Sequence, residues 1–344
     1  MTGPGHKLFV DELARFAAGR TDPRVTADAE RVGAPLRVAV RGRPGVGRRT
    51  VARALDLAGV GRGITATAGP PAGADVVVYV TAEVVKPEDA AAVAAAGRPV
   101  LAVLNKADLA RLSGRARNAR FAVLVGAPIA PMSGLLALAA LDGLDDELWA
   151  ALRVLAADPA GAGCLDGSFA GFLAAENPVP TAVRLRLLDT LDLFGTALGI
   201  AAARRGRTPA QARALLRRLS GVDAVLHRVS VIGAQVRYQR VLRAVTELEA
   251  LAVGDEGIHG FLSRDDTVVA RMAAAVDLAE AAGLDPDVPD DAAALLPRAV
   301  RWQRYSLGRL GPVSDLQRAC GADIARGSLR LWSQAHGPLP EGPR

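Results

Sequence analysis

The chain has 344 residues, of which 50% are hydrophobic and 4% aromatic, and its formal net charge is +6. This length and hydrophobicity are sufficient for two cores, so we expect two main domains. Of the 42 basic residues only Lys7, Lys86 and Lys106 are lysines, so 39 are arginines, and they are interleaved with 36 acidic residues. Because no basic stripe carries the interleaved aromatic side chains that single-stranded nucleic acid needs, the composition argues against a nucleic-acid partner.

The cysteines, the N-terminal residues and the apolar runs bear on the cellular compartment of the protein. Cys164 and Cys320 do not have the spacing of a disulfide framework or of a thiolate metal site. The first apolar stretch contains Asp11 and Glu12 and has no signal-peptide pattern. The most apolar helical run, residues 187–203, is interrupted by aspartates and is too short to span a bilayer. These features predict a cytoplasmic protein.

The first segment of the chain is predicted to be helical. Residues 6–33 place apolar side chains at helical spacing and contain a turn at residues 21–23. We therefore expect an N-terminal helical segment over residues 1–34, packed against the edge of the sheet that follows.

A glycine-rich turn follows a short apolar run at residues 36–40. The sequence VAVRGRPGVGRRTVARAL contains Gly42, Gly45 and Gly47, which allow the backbone to wrap an anion. The next helix directs its N-terminal N–H groups at the same point. Gly42 and Gly47 match the two glycines of the phosphate-binding-loop pattern G-x-x-x-x-G-K-[ST]. However, Arg48 replaces the lysine, Arg49 replaces the hydroxyl residue, and Thr50 comes one position late.

Residues 35–142 alternate between strand and helix patterns. Apolar runs at residues 36–40, 76–80, 100–104 and 121–125 predict strands, and residues 49–57, 87–96, 111–118 and 133–141 predict helices. Continuous apolar strands separated by helices are typical of a mostly parallel sheet covered on both faces. The fold class is therefore predicted as an α/β domain followed by an all-α helical domain.

Two further motifs follow strand ends in this region. Residues 105–108 read Asn-Lys-Ala-Asp and match the N-K-x-D motif, in which the aspartate accepts hydrogen bonds from guanine N1–H and its exocyclic amine. Residues 132–135 read Met-Ser-Gly-Leu and are similar to the S-A-[KL] loop that also contacts guanine. An unpaired buried polar group costs about 1–3 kcal/mol, so such an acceptor pair disfavours adenine.

With these motifs in this order, the chain resembles the P-loop GTPases of the translation-factor class, most closely the Era-like and bacterial dynamin-like branch. The resemblance covers residues 35–142 and implies a reduced G domain that binds GTP or GDP. It implies that the loop at residues 42–50 wraps the phosphates. The residues expected to contact the nucleotide there are Gly42, Gly45, Val46, Gly47, Arg48, Arg49 and Thr50. In dynamin-like proteins a helix before the loop strand belongs to a helical neck, which is the alternative to packing against the sheet.

The resemblance also assigns roles at the guanine base. Asn105 would tie the base-binding loop to the phosphate loop, and Lys106 would lie over the base. Asp108 would select guanine, and the backbone N–H groups of Ser133 and Gly134 would contact the base oxygen O6.

The sequence departs from the family where a metal ion is held. Arg49 stands at the Mg²⁺-ligating position, and Ala66 replaces the aspartate of the D-x-x-G motif. Only about fifteen residues separate the first helix from the strand at residue 76, so the first switch segment is almost gone. Phosphoryl transfer depends on positioning and charge neutralisation, so we expect nucleotide binding with little Mg²⁺ dependence and weak or absent hydrolysis.

The remainder of the chain is predicted to be helical. Residues 143–335 read as a bundle of five or six helices, and residues 336–344 read as a disordered tail. Charged residues in the long helical run at residues 222–253 form a solvated face or, alternatively, contact a membrane surface. We expect a protein partner at this helical domain.

Three functions are compatible with these patterns. The first is a guanine-nucleotide-binding regulatory or scaffolding protein with a degenerate GTPase domain. The second is a slow GTPase that a partner or a dimer completes, hydrolysing GTP to GDP and phosphate. The third is an interaction protein whose vestigial G domain holds no nucleotide.

Overall fold

The computed structural model describes residues 4–70, 72–107, 114–158, 168–176, 178–286 and 291–336. Contacts divide the chain into two compact units. One unit, here called the sheet unit, is Leu36–Val229, and the other, here called the helical unit, combines Met1–Pro35 with Ser230–Arg344. This grouping joins residues 143–229 to the sheet, whereas the sequence pattern assigned them to the helical bundle; the domain boundaries stay a prediction.

The described residues contain five strands and a series of helices. The strands are β1 (Leu36–Gly42), β2 (Ile64–Thr67), β3 (Val76–Ala82), β4 (Val100–Asn105) and β5 (Ile129–Pro131). The α-helices are α1 (Pro4–Ala18), α2 (Pro23–Gly33), α3 (Arg48–Gly59), α4 (Pro87–Ala94), α5 (Gly114–Val125), α6 (Gly134–Leu138), α7 (Asp146–Ala157), α8 (Phe169–Ala174), α9 (Thr181–Arg204), α10 (Pro209–Ser220), α11 (Val222–Ala252), α12 (Glu256–Ser263), α13 (Asp265–Ala281), α14 (Leu295–Ser306) and α15 (Asp315–His336).

The five strands form one sheet in the order β2-β1-β3-β4-β5, and every pairing is parallel. Every residue of β3 is buried, as expected for a central strand with packing on both faces. The order reverses between β1 and β3, and ligands of doubly wound sheets bind beyond the carboxyl ends of the strands at such a point. The predicted α/β sheet with an additional helical region is therefore present.

Two details of the sheet differ from the sequence-based expectation. Residues 121–125 were predicted as a strand, which is wrong, because they form the end of α5, where Val123 is 82% exposed. Gly126 follows with a positive φ of 72°, and the strand comes later, at β5. The four-residue strand β2 lies in the segment where no strand was predicted, and it alternates buried and exposed residues against β1.

Several polar side chains of β1 and β2 are exposed. The connection between β2 and β3 is short, and its described residues, 68–70 and 72–75, form no helix. The side chains of Arg37, Arg41, Thr65 and Thr67 are exposed, whereas their alternate neighbours on β1 and β2 are buried. This part of the sheet therefore presents polar side chains next to a connection without a helix.

The N-terminal helices belong to the helical unit. Phe9 and Leu13 of α1 share a core cluster with Tyr238, Ile324 and Trp302, so the expected packing of this segment against the sheet edge is wrong. The N–H groups of Gly5 and His6 donate to the carboxylate of Asp277 on α13, at 3.3 and 2.7 Å. A carboxylate at a helix N-terminus satisfies otherwise unpaired N–H groups and complements the helix dipole.

The later helices largely follow the sequence prediction. Helices α9, α10, α11, α13, α14 and α15 lie where helical spacing was expected, and α8 and α12 are additional short helices. Among the described helices, none combines the length and the apolar character that a bilayer span needs. Residues 337–344, which make up nearly all of the predicted disordered tail, lie outside the described residues.

The buried His6 predicts a pH dependence of stability. Burial, then the charges of Arg237 and Arg240, lower the pKa of His6 from its ordinary 6.5 to about 4. Because the unfolded chain binds this proton below pH 6.5 and the folded chain does not, stability falls as the pH drops through this range. We expect His6 alone to lower the unfolding free energy by about 2 kcal/mol between pH 7 and pH 5.

Urea unfolding of the wild type and of His6→Gln at both pH values measures this contribution. The variant lacks the ionisable ring, so its stability should fall less between the two conditions. An equal loss in both proteins would contradict the assignment of this proton to His6.

Candidate functional site

The glycine-rich loop joins β1 to α3 at the carboxyl edge of the sheet. β1 ends at Gly42 and α3 begins at Arg48. Gly42, Gly45 and Gly47 have φ values of 149°, 83° and 84°, which side chains rarely adopt. A Cβ atom on Gly42 would overlap the carbonyl oxygen of Val80 on β3, whereas one on Gly45 would have no atom within 4 Å. The predicted loop glycines are therefore required for two different reasons, backbone conformation and close approach.

The loop and the first turn of α3 present unpaired donors. Within the described part of the chain, no acceptor is recorded for the N–H groups of Gly45, Gly47, Arg48, Arg49 and Thr50. Unpaired N–H groups at a helix N-terminus, preceded by a glycine-rich turn, favour a bound anion. This arrangement is the one that the sequence motif predicts for phosphate groups.

Asn105 connects three segments at the carboxyl edge of the sheet, which is here called the rim. Its side-chain amide nitrogen Nδ2 donates to the carbonyl oxygen of Val46 in the loop at 2.8 Å. Its oxygen Oδ1 accepts from the N–H of Gly134 at 2.9 Å. Asn105 and Ser133 are only 4% and 5% exposed, so both hydrogen bonds lie in the interior. The side chain at the end of β4 thus connects the glycine-rich loop to the turn after β5.

The contacts of the turn after β5 differ from those predicted. The N–H of Gly134 is used by Asn105, and the N–H of Ser133 donates to the carbonyl oxygen of Ser220 at 2.8 Å. In this structure both N–H groups are already hydrogen-bonded within the chain, and their contact with a base oxygen stays a prediction. A Cβ on Gly134 would also lie within 3.4 Å of the Thr50 and Val51 side chains, so the turn packs tightly against α3.

The Asn-Lys-Ala-Asp tetrapeptide at residues 105–108 is described only in part. Lys106 is exposed and has a positive φ of 57°, an uncommon conformation for a residue with a side chain. The N–H of Ala107 donates to the carbonyl oxygen of Met132 at 3.2 Å. Asp108 lies outside the described residues, so its contact with guanine stays a prediction.

A cavity of about 380 Å³ opens beside the loop. It is lined by β1, β3, the loop, α3, α4 and residues 68–70 of the β2–β3 connection, and its polar lining side chains are Arg41, Arg43, Arg48, Tyr79 and Glu88. Arg48 is exposed and donates to the carbonyl oxygen of Gly42 at 3.3 Å. Arginine therefore dominates the charge around the cavity.

Asp89 fixes Arg43, the second residue of the loop. The fully buried Asp89 carboxylate accepts from Arg43 Nε at 2.8 Å, from Tyr79 Oη at 2.9 Å and from the Lys86 N–H at 2.9 Å. Burial alone would raise the pKa of the Asp89 carboxyl, but these hydrogen bonds, with Arg43 first, hold that pKa below its usual value. Burial, and then the bond to Asp89, raise the pKa of Tyr79 to about 12. The loop is thus bound to α4 by a charged Asp89.

The residues at this site do not fit a Mg²⁺ ion. Magnesium requires oxygen ligands, and the position that supplies a hydroxyl in the motif is the guanidinium of Arg49. Ala66, at the position of the second-sphere aspartate, is buried in β2 and donates its N–H to Asp56 Oδ1 at 3.0 Å. Among the described residues no group of three histidine, cysteine or carboxylate side chains is arranged to hold a metal. The donor set favours an anion with cationic partners.

Sequence reasoning did not identify Arg41, Arg43, Tyr79 and Asp89 as site residues. The signal available for Arg41 was a charged side chain in an otherwise apolar strand next to the loop. Asp89 had no such signal, because an acidic residue in the first turn of a helix is ordinary.

Comparisons of the chain with models of protein families, with curated proteins and with solved structures found no match. Its function is therefore inferred from its own residues and their contacts.

Gly45 and Gly47 form a matched pair for testing the loop. Both have φ near +83°, so alanine at either position costs about 1–2 kcal/mol of strain. Only at Gly47 would the new Cβ overlap Asn105 Nδ2. We expect Gly47→Ala to lower the unfolding free energy by a further 1–3 kcal/mol or so through overpacking, as measured by urea unfolding. Equal losses in the two variants would contradict the close approach of Asn105 to the loop.

Proposed function

We propose that this protein binds a guanine nucleotide and serves as a regulatory or scaffolding protein with a reduced, degenerate GTPase domain. Its hydrolysis of GTP is weak or absent, and its nucleotide binding has little dependence on Mg²⁺. The observation that carries this proposal is the pair of hydrogen bonds that Asn105 makes to Val46 and Gly134.

Those two bonds support a shared nucleotide site because they join the three segments that the sequence motifs single out. The loop has unpaired N–H groups for phosphates, and the chain leads from Asn105 directly into Lys106 and Asp108. All three segments lie at the carboxyl ends of β1, β4 and β5, where ligands of parallel sheets bind. Guanine should bind in preference to adenine, because the two oxygens of the Asp108 carboxylate would accept from guanine N1–H and from its exocyclic amine.

Weak or absent hydrolysis follows from the side chains around the loop. Transfer of a phosphoryl group depends on charge neutralisation and on a positioned water molecule. Arg49 and Ala66 supply neither a metal ligand nor an acceptor for water. The short connection between β2 and β3 also removes the segment that would sense the terminal phosphate.

The helical unit favours the dynamin-like branch over the Era-like one. Helices α1 and α2 precede the loop strand and pack with the C-terminal helices. This grouping of both chain ends is what a helical neck requires. We place the protein partner at this helical unit.

One titration tests the proposal. GDP, GTP and the corresponding adenine nucleotides are added to the full chain, with Mg²⁺ and with EDTA, and binding is followed by calorimetry and by the shift in Tm. A ligand that binds only the folded state stabilises it by mass action. We expect stabilisation by both guanine nucleotides in either buffer and none by the adenine nucleotides.

The variant Asp108→Ala provides the specificity control. Loss of the carboxylate should weaken guanine-nucleotide binding by about tenfold or more, since hydrogen bonds to charged groups contribute about 1.5–3 kcal/mol. No change with any nucleotide at millimolar concentration would refute the proposal in favour of a nucleotide-free interaction protein. Turnover of GTP that requires Mg²⁺ and is reduced in Asp108→Ala would instead identify a slow GTPase.

A further inference from the structure

The cavity beside the loop has more positive than negative charge. Three guanidinium groups line it, those of Arg41, Arg43 and Arg48, and Glu88 is the carboxylate that lines it with them. Asp89 offsets part of the charge of Arg43 through their ion pair. The remaining charge is positive, so an anion is the species that the cavity attracts.

The three arginines differ in what they already contact. Arg43 is held by Asp89 and donates to the carbonyl oxygen of Val84 at 3.3 Å. Arg48 donates a hydrogen bond to the carbonyl oxygen of Gly42. For Arg41 no hydrogen bond or ion pair is recorded within the described ranges of the chain. Arg41 is therefore the guanidinium that remains available to a ligand.

Arg41 lies where a ligand of the loop would meet it. It is the residue before Gly42 on β1, and its register partner on β3 is Tyr79. Its side chain is exposed and lines the cavity together with residues 68–70 of the β2–β3 connection. Arg37, four residues earlier on the same face of β1, has no access to this cavity and pairs with Asp75 at 3.8 Å. The two arginines share a strand and an exposed face but differ in their proximity to the loop.

We propose that Arg41 binds the terminal phosphate of a guanosine triphosphate in this cavity and takes the place of a metal ion as its charge partner. This inference rests on the proposed function, because the remaining phosphates would lie on the loop. A planar guanidinium can donate two hydrogen bonds to a phosphate, which gives a charge-assisted contact without a metal. The poor fit of the site to Mg²⁺ and the lack of a hydrogen bond or ion pair to Arg41 among the described residues then have one explanation.

The test compares GDP with guanosine 5′-(β,γ-imido)triphosphate, which resists hydrolysis, by calorimetry on the full chain in EDTA. The proteins are the wild type, Arg41→Gln, Arg41→Lys and the matched control Arg37→Gln. We expect the wild type to bind the triphosphate about tenfold more tightly than GDP, the ratio given by one hydrogen bond to a charged group. Arg41→Gln should reduce this ratio to about one and leave GDP affinity within about twofold, since Gln has no charge for the phosphate.

The other variants separate a specific contact from general charge. Arg37→Gln should retain the wild-type ratio, and Arg41→Lys should retain part of it because it keeps the charge but not the planar fork. Equal affinity of the wild type for the two nucleotides in EDTA would overturn this inference while leaving the proposed function intact. An equal weakening of both nucleotides in Arg41→Gln would overturn it as well. Failure of the wild type to bind either nucleotide would refute the proposed function, and this inference with it.

Discussion

The rim of the sheet depends on the side chain of Asn105. Its amide donates to the loop and accepts from the turn after β5, so one buried group fixes the distance between two segments that are remote in the sequence. The glycine at position 47 follows from the same group, since a Cβ atom there would overlap Nδ2. Because a buried amide that loses its partners costs about 1–3 kcal/mol, the loop is held in its shape before any ligand arrives.

The short connection between β2 and β3 determines the charge at the site. A helix in this connection would cover the face of β1 that carries Arg37 and Arg41. The described residues of the connection form no helix, and both arginines are exposed, while Ala39 between them is buried. The opposite boundary of the cavity is fixed by Asp89, which binds Arg43 and Tyr79. The short connection thus coincides with a cationic cavity.

Sequence patterns predicted the long elements and the short-range motifs. Runs of buried apolar residues identified β1, β3 and β4, and the tetrapeptide at Asn105 indicated the contact with the loop. The strands β2 and β5 have only four and three residues, too few for a period to be recognised. The packing of α1 on α13 was also missed, because helical periodicity identifies an apolar face and not the element that covers it. The contacts of Asp89 with Arg43 and Tyr79 join residues 46 and 10 positions apart in the sequence, which no local pattern encodes.

The turn after β5 limits how a base can be recognised at this rim. Its two N–H groups are bonded to Asn105 and to the carbonyl oxygen of Ser220, which precedes α11. Arg228 of α11 also donates to the carbonyl oxygen of Ile129, at 2.6 Å. This bond joins α11 to the strand β5 that precedes the turn. For a base oxygen to take either N–H, an internal hydrogen bond would have to break and leave a buried acceptor unpaired. Under the proposed function, selection of guanine would therefore depend on the segment that follows Asn105, and on Asp108 above all, rather than on the backbone of this turn.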